Sequence, residues 1–150
     1  MRYLFLCVVA TLCVGCGRQA ARTPAVEVAR AYLEAARDRD VARMSTLVAP
    51  DATAFELGDE GTFSRYRDEH LTPELARLRT IAMTLGDPTE YESDDHTLAF
   101  VAWPVRRFTM ERQDGSLADA RGAATFVLAR RDDGWTIEHV HFSLRTEDSP

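Results

Sequence analysis

His139 and His141 stand two residues apart in the run Trp135-Thr136-Ile137-Glu138-His139-Val140-His141. On a strand that spacing puts both rings on one face. Two imidazoles side by side can hold an anion when protonated, or a divalent metal if a third ligand converges. Glu56 and His70 are the obvious third ligands. Trp135, Ile137 and Ser143 share the histidine face, while Val140, Phe142 and Leu144 occupy the other, so alternation alone leaves the inner side open. Tyr66 and His70 lie four apart and share a face if their segment is helical. Arg106, Arg107 and Arg121 fall in strand-like segments, where an inward guanidinium would fork onto a carboxylate or phosphate and an outward one would be solvated. Trp103 and Trp135 are expected in the core or a pocket wall. No Walker loop, dinucleotide fingerprint, nucleophile elbow or His-Glu-x-x-His helix occurs. Nothing therefore calls for a cofactor, and the histidines are read as lining or ligand-binding residues ahead of a metal site.

The elements that must position these side chains begin at Pro24, which suits the first turn of a helix. Val26, Ala29, Leu33 and Ala36, with Val28 and Tyr32, recur at helical spacing as far as Arg37. Asp40 can cap a second, short helix carrying Val41, Met44, Leu47 and Val48, which Pro50-Asp51 stops. Residues 52–56 read as a brief strand and 58–79 as a polar stretch with helical pieces. Four strand-like runs follow, at 81–92, 97–110, 118–131 and 135–145. Asp114-Gly115 and Asp132-Asp133-Gly134 are the turn signals between the later ones. Gly86-Asp87-Pro88 interrupts the first run, which predicts a bulge or an edge position there. Helices first and then a curled antiparallel sheet is an α+β arrangement.

The formal net charge is -6, and no basic stripe is available for nucleic acid. All 18 Lys/Arg positions are arginine. Cys7, Cys13 and Cys16 all lie at the N-terminus, so the later chain has neither an internal disulfide nor a cysteine zinc site. Arg2 followed by the apolar stretch 3–14 has the form of a signal peptide, too short to remain as a spanning helix. Leu12-Cys13-Val14-Gly15-Cys16 resembles the lipobox of bacterial lipoproteins, although leucine stands one step earlier than usual. The resemblance implies cleavage before Cys16 and lipid on that residue. The chain then divides into a signal peptide (1–15), a lipidated tether (16–23), a domain (24–146) and a tail (147–150). It would sit in the bacterial cell envelope, membrane-anchored through Cys16 and facing the periplasm.

Three stretches of the domain resemble the nuclear transport factor 2-like superfamily, which includes SnoaL-like proteins and ketosteroid isomerase. They are Ala31-Tyr32-Leu33 with the turn Arg39-Asp40-Val41; Val48-Ala49-Pro50-Asp51-Ala52-Thr53; and the ending from Asp133 to Ser143. That ending is similar to the close of the calcium/calmodulin-dependent kinase association domain, with its His-x-His-x-Ser pattern. The resemblance implies a cone-shaped curved antiparallel sheet wrapped around N-terminal helices, a pocket inside the cone and pairing into a homodimer. In the isomerase branch an oxyanion-holding tyrosine and a base carboxylate do the chemistry. The positions that match are Tyr32 and Glu56. The acid that assists the tyrosine in that branch has no counterpart, because 122–129 carries none. The association-domain likeness turns the histidine face toward the pocket. The candidates for binding a ligand there are Tyr66, His70, Arg121, Trp135, His139 and His141.

Three functions remain open. The first, which the sequence favours, is an envelope-anchored module binding a small apolar or anionic molecule. The second is a pocket enzyme of isomerase, lyase or hydrolase type, with Glu56 as base and Tyr32 or a histidine as donor. The third is a homo-oligomeric scaffold or interaction module.

Overall fold

A computed structural model describes residues 23–56, 59–132 and 134–146. The expected signal peptide, Cys16, the tether up to residue 22 and the tail 147–150 lie outside the described residues.

The first helix, α1, runs Ala25–Arg37 directly after Pro24. Glu27 in its first turn and Arg37 in its last complement the helix dipole. Its apolar face buries Val28, Ala29, Tyr32 and Leu33. Asp40 caps α2 (Val41–Thr46), accepting the Arg43 N–H at 2.9 Å, which satisfies one orphan donor of the first turn. Further along come α3 (Phe63–Tyr66), a π-helical turn (Arg67–Leu71) and α4 (Thr72–Arg77).

The strands are β1 (Val48–Glu56), β2 (Asp59–Thr62), β3 (Leu78–Leu85), β4 (Thr89–Glu92), β5 (Leu98–Arg112), β6 (Leu117–Arg131) and β7 (Gly134–Thr146). Among the described residues they form one curved, unclosed sheet of seven strands in the order β2-β1-β7-β6-β5-β3, with β4 also on β5. The fold is α+β as expected, with one correction to an antiparallel reading: β1 and β7 run parallel. No hairpin ties these two strands, so only their side chains dictate direction. The expected first strand is split at Gly86-Asp87-Pro88 into two edge pieces, both pairing with β5. The Gly86 carbonyl there accepts the indole N–H of Trp103 at 2.8 Å.

Two irregularities in the long strands decide which residues face inward. On β5, Arg106 and Arg107 together oppose the single position Arg121 of β6. On β7, Glu138 is an extra residue, since Leu128 pairs with Ile137 and Val127 with His139. Each extra residue reverses the side-chain alternation that follows it. The inner face carries Ala124, Phe126, Leu128, Val101, Trp103, Ile137 and Val140, all essentially buried. Tyr32 packs into this layer against Phe126, with ring centroids 5.6 Å apart, and against Phe142 at 6.4 Å. Burial of each large apolar side chain contributes about 1.5–3 kcal/mol. The backbones of β6 and β7 approach closely at Gly122, where a Cβ would overlap the carbonyl oxygen of Ser143.

Candidate functional site

Alternation along β1 places the carboxylate. Ala52 and Ala54 are buried, Thr53 and Phe55 face outward, and Glu56 ends the strand on the inner side. The side chain of Glu56 is only 15% exposed. A carboxylate withdrawn from water needs partners. The phenol of Tyr66 donates a hydrogen bond to its Oε2, and His70 Nε2 lies 3.6 Å from the same oxygen. His70 Nε2 is also 3.2 Å from Glu74 Oε2. These three partners come from one continuous helical stretch. Four-residue steps drift around an α-helix, and the wider π turn between α3 and α4 offsets the drift. Tyr66, His70 and Glu74 therefore look toward β1 from one face. The rings of Tyr66 and His70 stack at 5.4 Å, which fixes the imidazole plane.

Tyr32 approaches the same carboxylate from α1. Its side chain is fully buried and its hydroxyl has no hydrogen-bond partner among the described residues. Burial, reinforced by the negative charge of Glu56, pushes the Tyr32 phenol above the ordinary tyrosine range. Burial and then Glu56 do the same to Tyr66. Both phenols therefore stay neutral and keep their protons to donate. An unsatisfied buried hydroxyl costs about 1–3 kcal/mol, so the orphan on Tyr32 is the polar group most in need of an incoming acceptor.

Glu56 and Glu74 border a cavity of about 330 Å³ whose other walls include Phe108, Met110, Ala120 and Leu144. The bulge on β5 is what turns Phe108 and Met110 inward. A second cleft of about 350 Å³ lies beside it, lined by His70, Pro73, Arg77 and Leu78, and shares Glu74 and Met110 with the first. The arrangement sets the Glu56 carboxylate at the wall of a largely apolar hollow, with two neutral phenols and an imidazole grouped behind it.

Four of the expected ligand-binding residues lie elsewhere. The extra residue Glu138 separates Trp135 and Ile137 from the histidines, so His139 and His141 face outward and not into the cone. There His139 Nδ1 sits 2.7 Å from Thr53 Oγ1, and the Phe55 ring packs against both imidazoles. Burial and the neighbouring His141 push His139 below the ordinary histidine value. Trp135 does lie on the inner face, but in the half of β7 before the bulge, beneath the Arg130 guanidinium at 4.6 Å. Arg121 is exposed in an open groove with Arg106 and Arg145, and Arg107 is paired with Asp119 at 2.8 Å. The residues brought together are Tyr32, Glu56, Tyr66 and His70. Glu74 belongs with them and was missed. Its signal was present in the sequence, four residues beyond His70 and eight beyond Tyr66.

The chain matches the sequence profile of the SnoaL-like domain over residues 26–147. It belongs to the SnoaL-like domain family. Solved structures with the same SnoaL-like architecture agree. A nuclear transport factor 2-like superfamily protein from Salmonella enterica serovar Typhimurium superposes with a TM-score of 0.70 at 21% identity, covering 82% of this chain and 89% of that one. A protein provisionally named a ketosteroid isomerase, from Shewanella frigidimarina, gives 0.67 at 21% identity over 78% and 92%. One provisionally named a calcium/calmodulin dependent protein kinase II association domain, from Xanthomonas campestris, gives 0.62 at 21% over 81% and 88%. At these identities the likeness to solved structures is one of fold. No curated protein matches the chain in sequence.

Proposed function

We propose that the SnoaL-like domain binds a small, largely apolar carbonyl compound in the Glu56 cavity and moves a proton on it, as an isomerase or lyase does. The observation that carries this reading is the inward carboxylate of Glu56, hydrogen-bonded by Tyr66 beside the partnerless hydroxyl of Tyr32. In the step envisaged, Glu56 takes a proton from the carbon next to the carbonyl. The electron pair of that C–H bond moves into the enolate, whose oxygen accepts the Tyr32 hydrogen bond. Glu56 then returns the proton to another carbon, or a β-hydroxyl leaves as water after taking a proton from His70. Donors aimed at a developing oxyanion in a site with little water carry a large share of such catalysis. The structural neighbour named after ketosteroid isomerase makes the reading a natural one for this fold.

The alternative of an anionic ligand rested on His139, His141 and Arg121, which lie outside the cavity. The cavity wall carries two carboxylates against one guanidinium, Arg145, and is otherwise mostly apolar, which favours a neutral ligand. At about 330 Å³ the space is at the small end of the range of about 300–1,000 Å³ for ligand sites, which suits a one- or two-ring molecule. β-Tetralone is a suitable probe. It should raise the melting temperature of the wild type, by mass action, and raise it much less in Tyr32→Phe. Equal shifts in the two proteins, or none in either, would remove the support.

The location is part of the proposal. With lipid on Cys16, the domain would hang from the membrane by a short tether. The leader resemblance supports this, and Cys16→Ser should move the protein from the membrane to the soluble fraction. Self-association is a second reading, favoured by the outward aromatics Tyr91 and Phe100, 67% and 39% exposed with rings 6.5 Å apart. Light scattering should then report a dimer that Phe100→Glu dissociates.

A further inference from the structure

The same cluster has the form of a chelate. Glu56 Oε2, His70 Nε2 and a Glu74 oxygen all lie within 4.8 Å of one another, with His70 Nε2 at 3.6 Å from the first carboxylate and 3.2 Å from the second. A zinc ion holds nitrogen and oxygen ligands at about 2.0–2.2 Å, which at a tetrahedral angle puts the ligand atoms about 3.4 Å apart. The two separations from His70 bracket that value, and the third, between the two carboxylates, is within 4.8 Å, so a cation could draw the three groups together by side-chain adjustment. Two carboxylates and a neutral imidazole also supply the charge and donor softness that zinc and manganese select.

A second observation points to a ligand here. The Tyr32 hydroxyl is fully buried, feels the charge of Glu56 and has no partner among the described residues. A water held on a cation at this site would give it one. The surroundings are those of a supported metal site. Tyr66 donates to the Glu56 carboxylate, and its ring stacks on His70, so two of the three ligands are oriented by one residue.

We infer that Glu56, His70 and Glu74 bind one divalent transition-metal ion, zinc or manganese, at the edge of the cavity. The inference rests on the same cluster as the proposed function, and it adds a control. A cation on one Glu56 oxygen draws electron density from the carboxylate and makes it a weaker base, so metal binding opposes proton transfer at Glu56.

The test uses the full chain in detergent, with Cys7, Cys13 and Cys16 changed to serine so that no thiol competes. Zinc and manganese binding are measured by calorimetry after EDTA treatment. One equivalent should bind, binding should vanish in His70→Ala and in Glu74→Gln, and Tyr66→Phe should weaken it by roughly 10–100-fold. His139→Ala should bind as the parent does. Circular dichroism confirms that each variant folds. No binding by the parent, or undiminished binding in His70→Ala and Glu74→Gln, overturns the inference. The β-tetralone shift is recorded separately in EDTA. A shift there without any metal binding removes the metal site and leaves the proposed function standing; metal binding without a shift does the reverse.

Discussion

The phenol of Tyr66 donates a hydrogen bond to the carboxylate of Glu56, ten residues earlier in the chain, across the gap between a helix and the inner face of the sheet. The bond ties α3 to the end of β1. It also keeps a nearly buried carboxylate where a ligand would meet it.

Tyr66→Phe removes the donor and leaves the ring packing in place. A hydrogen bond to a charged group contributes about 1.5–3 kcal/mol, and the variant should lose an amount in that range. Urea unfolding, with an unchanged slope against denaturant, is the check. A loss below about 0.5 kcal/mol, the scale of a neutral surface change, would mean that water replaces the phenol at no cost.

Ala120 is buried at the cavity wall, opposite Phe108 in the β5–β6 register. Ala120→Leu should fill part of the hollow, cost about 1–3 kcal/mol through overpacking and abolish the β-tetralone shift in a protein that still folds. A full shift in the variant would place the ligand elsewhere.

Gly122→Ala tests the close approach of β6 and β7. The added methyl would overlap backbone, the Ser143 carbonyl, and not a flexible side-chain tip. The expected loss is about 3 kcal/mol or more, the upper end for overpacking, seen as a melting temperature many degrees lower. A melting temperature within a degree or two of the parent would show that β6 and β7 can separate freely there.

His139 gives the fold a pH dependence. Burial and the adjacent His141 hold the folded imidazole below the ordinary histidine value. Between the folded value and about 6.5, the unfolded chain binds more protons than the folded one, so stability rises with pH across that window. Acidification from pH 7.5 to 5 should therefore lower the urea midpoint, and less so in His139→Gln. An identical drop in the two proteins would assign the dependence to other groups.

Much of this was legible in the residues. Val28, Ala29, Tyr32 and Leu33 gave α1 its buried face, and Asp40 capped α2 as its side chain and position suggested. The isomerase resemblance singled out Glu56, and the alternation of buried Ala52 and Ala54 with exposed Thr53 and Phe55 on β1 is what the structure adds to turn it inward. What could not be read was where the alternation breaks. No glycine or proline beside Glu138 marks it as an extra residue, so counting forward from Trp135 joined both histidines to the face of Trp135 and Ile137, which the association-domain likeness then turned toward the pocket. Arg106 and Arg107 hid a second break in the same way. The parallel pairing of β1 with β7 depends on partners more than eighty residues apart, which no local pattern records. The π turn that gathers Tyr66, His70 and Glu74 depends on packing against β1 in the same manner.

The most direct test of the account is deuterium exchange at the α-carbon of β-tetralone, followed by NMR in D2O containing EDTA. Wild-type protein should speed the exchange well above the buffer rate, and Glu56→Gln, which keeps the shape and the Tyr66 hydrogen bond but cannot take the proton, should return it to that rate. An unaccelerated wild type, or a Glu56→Gln variant as fast as the wild type, would contradict the assignment of Glu56 as the base.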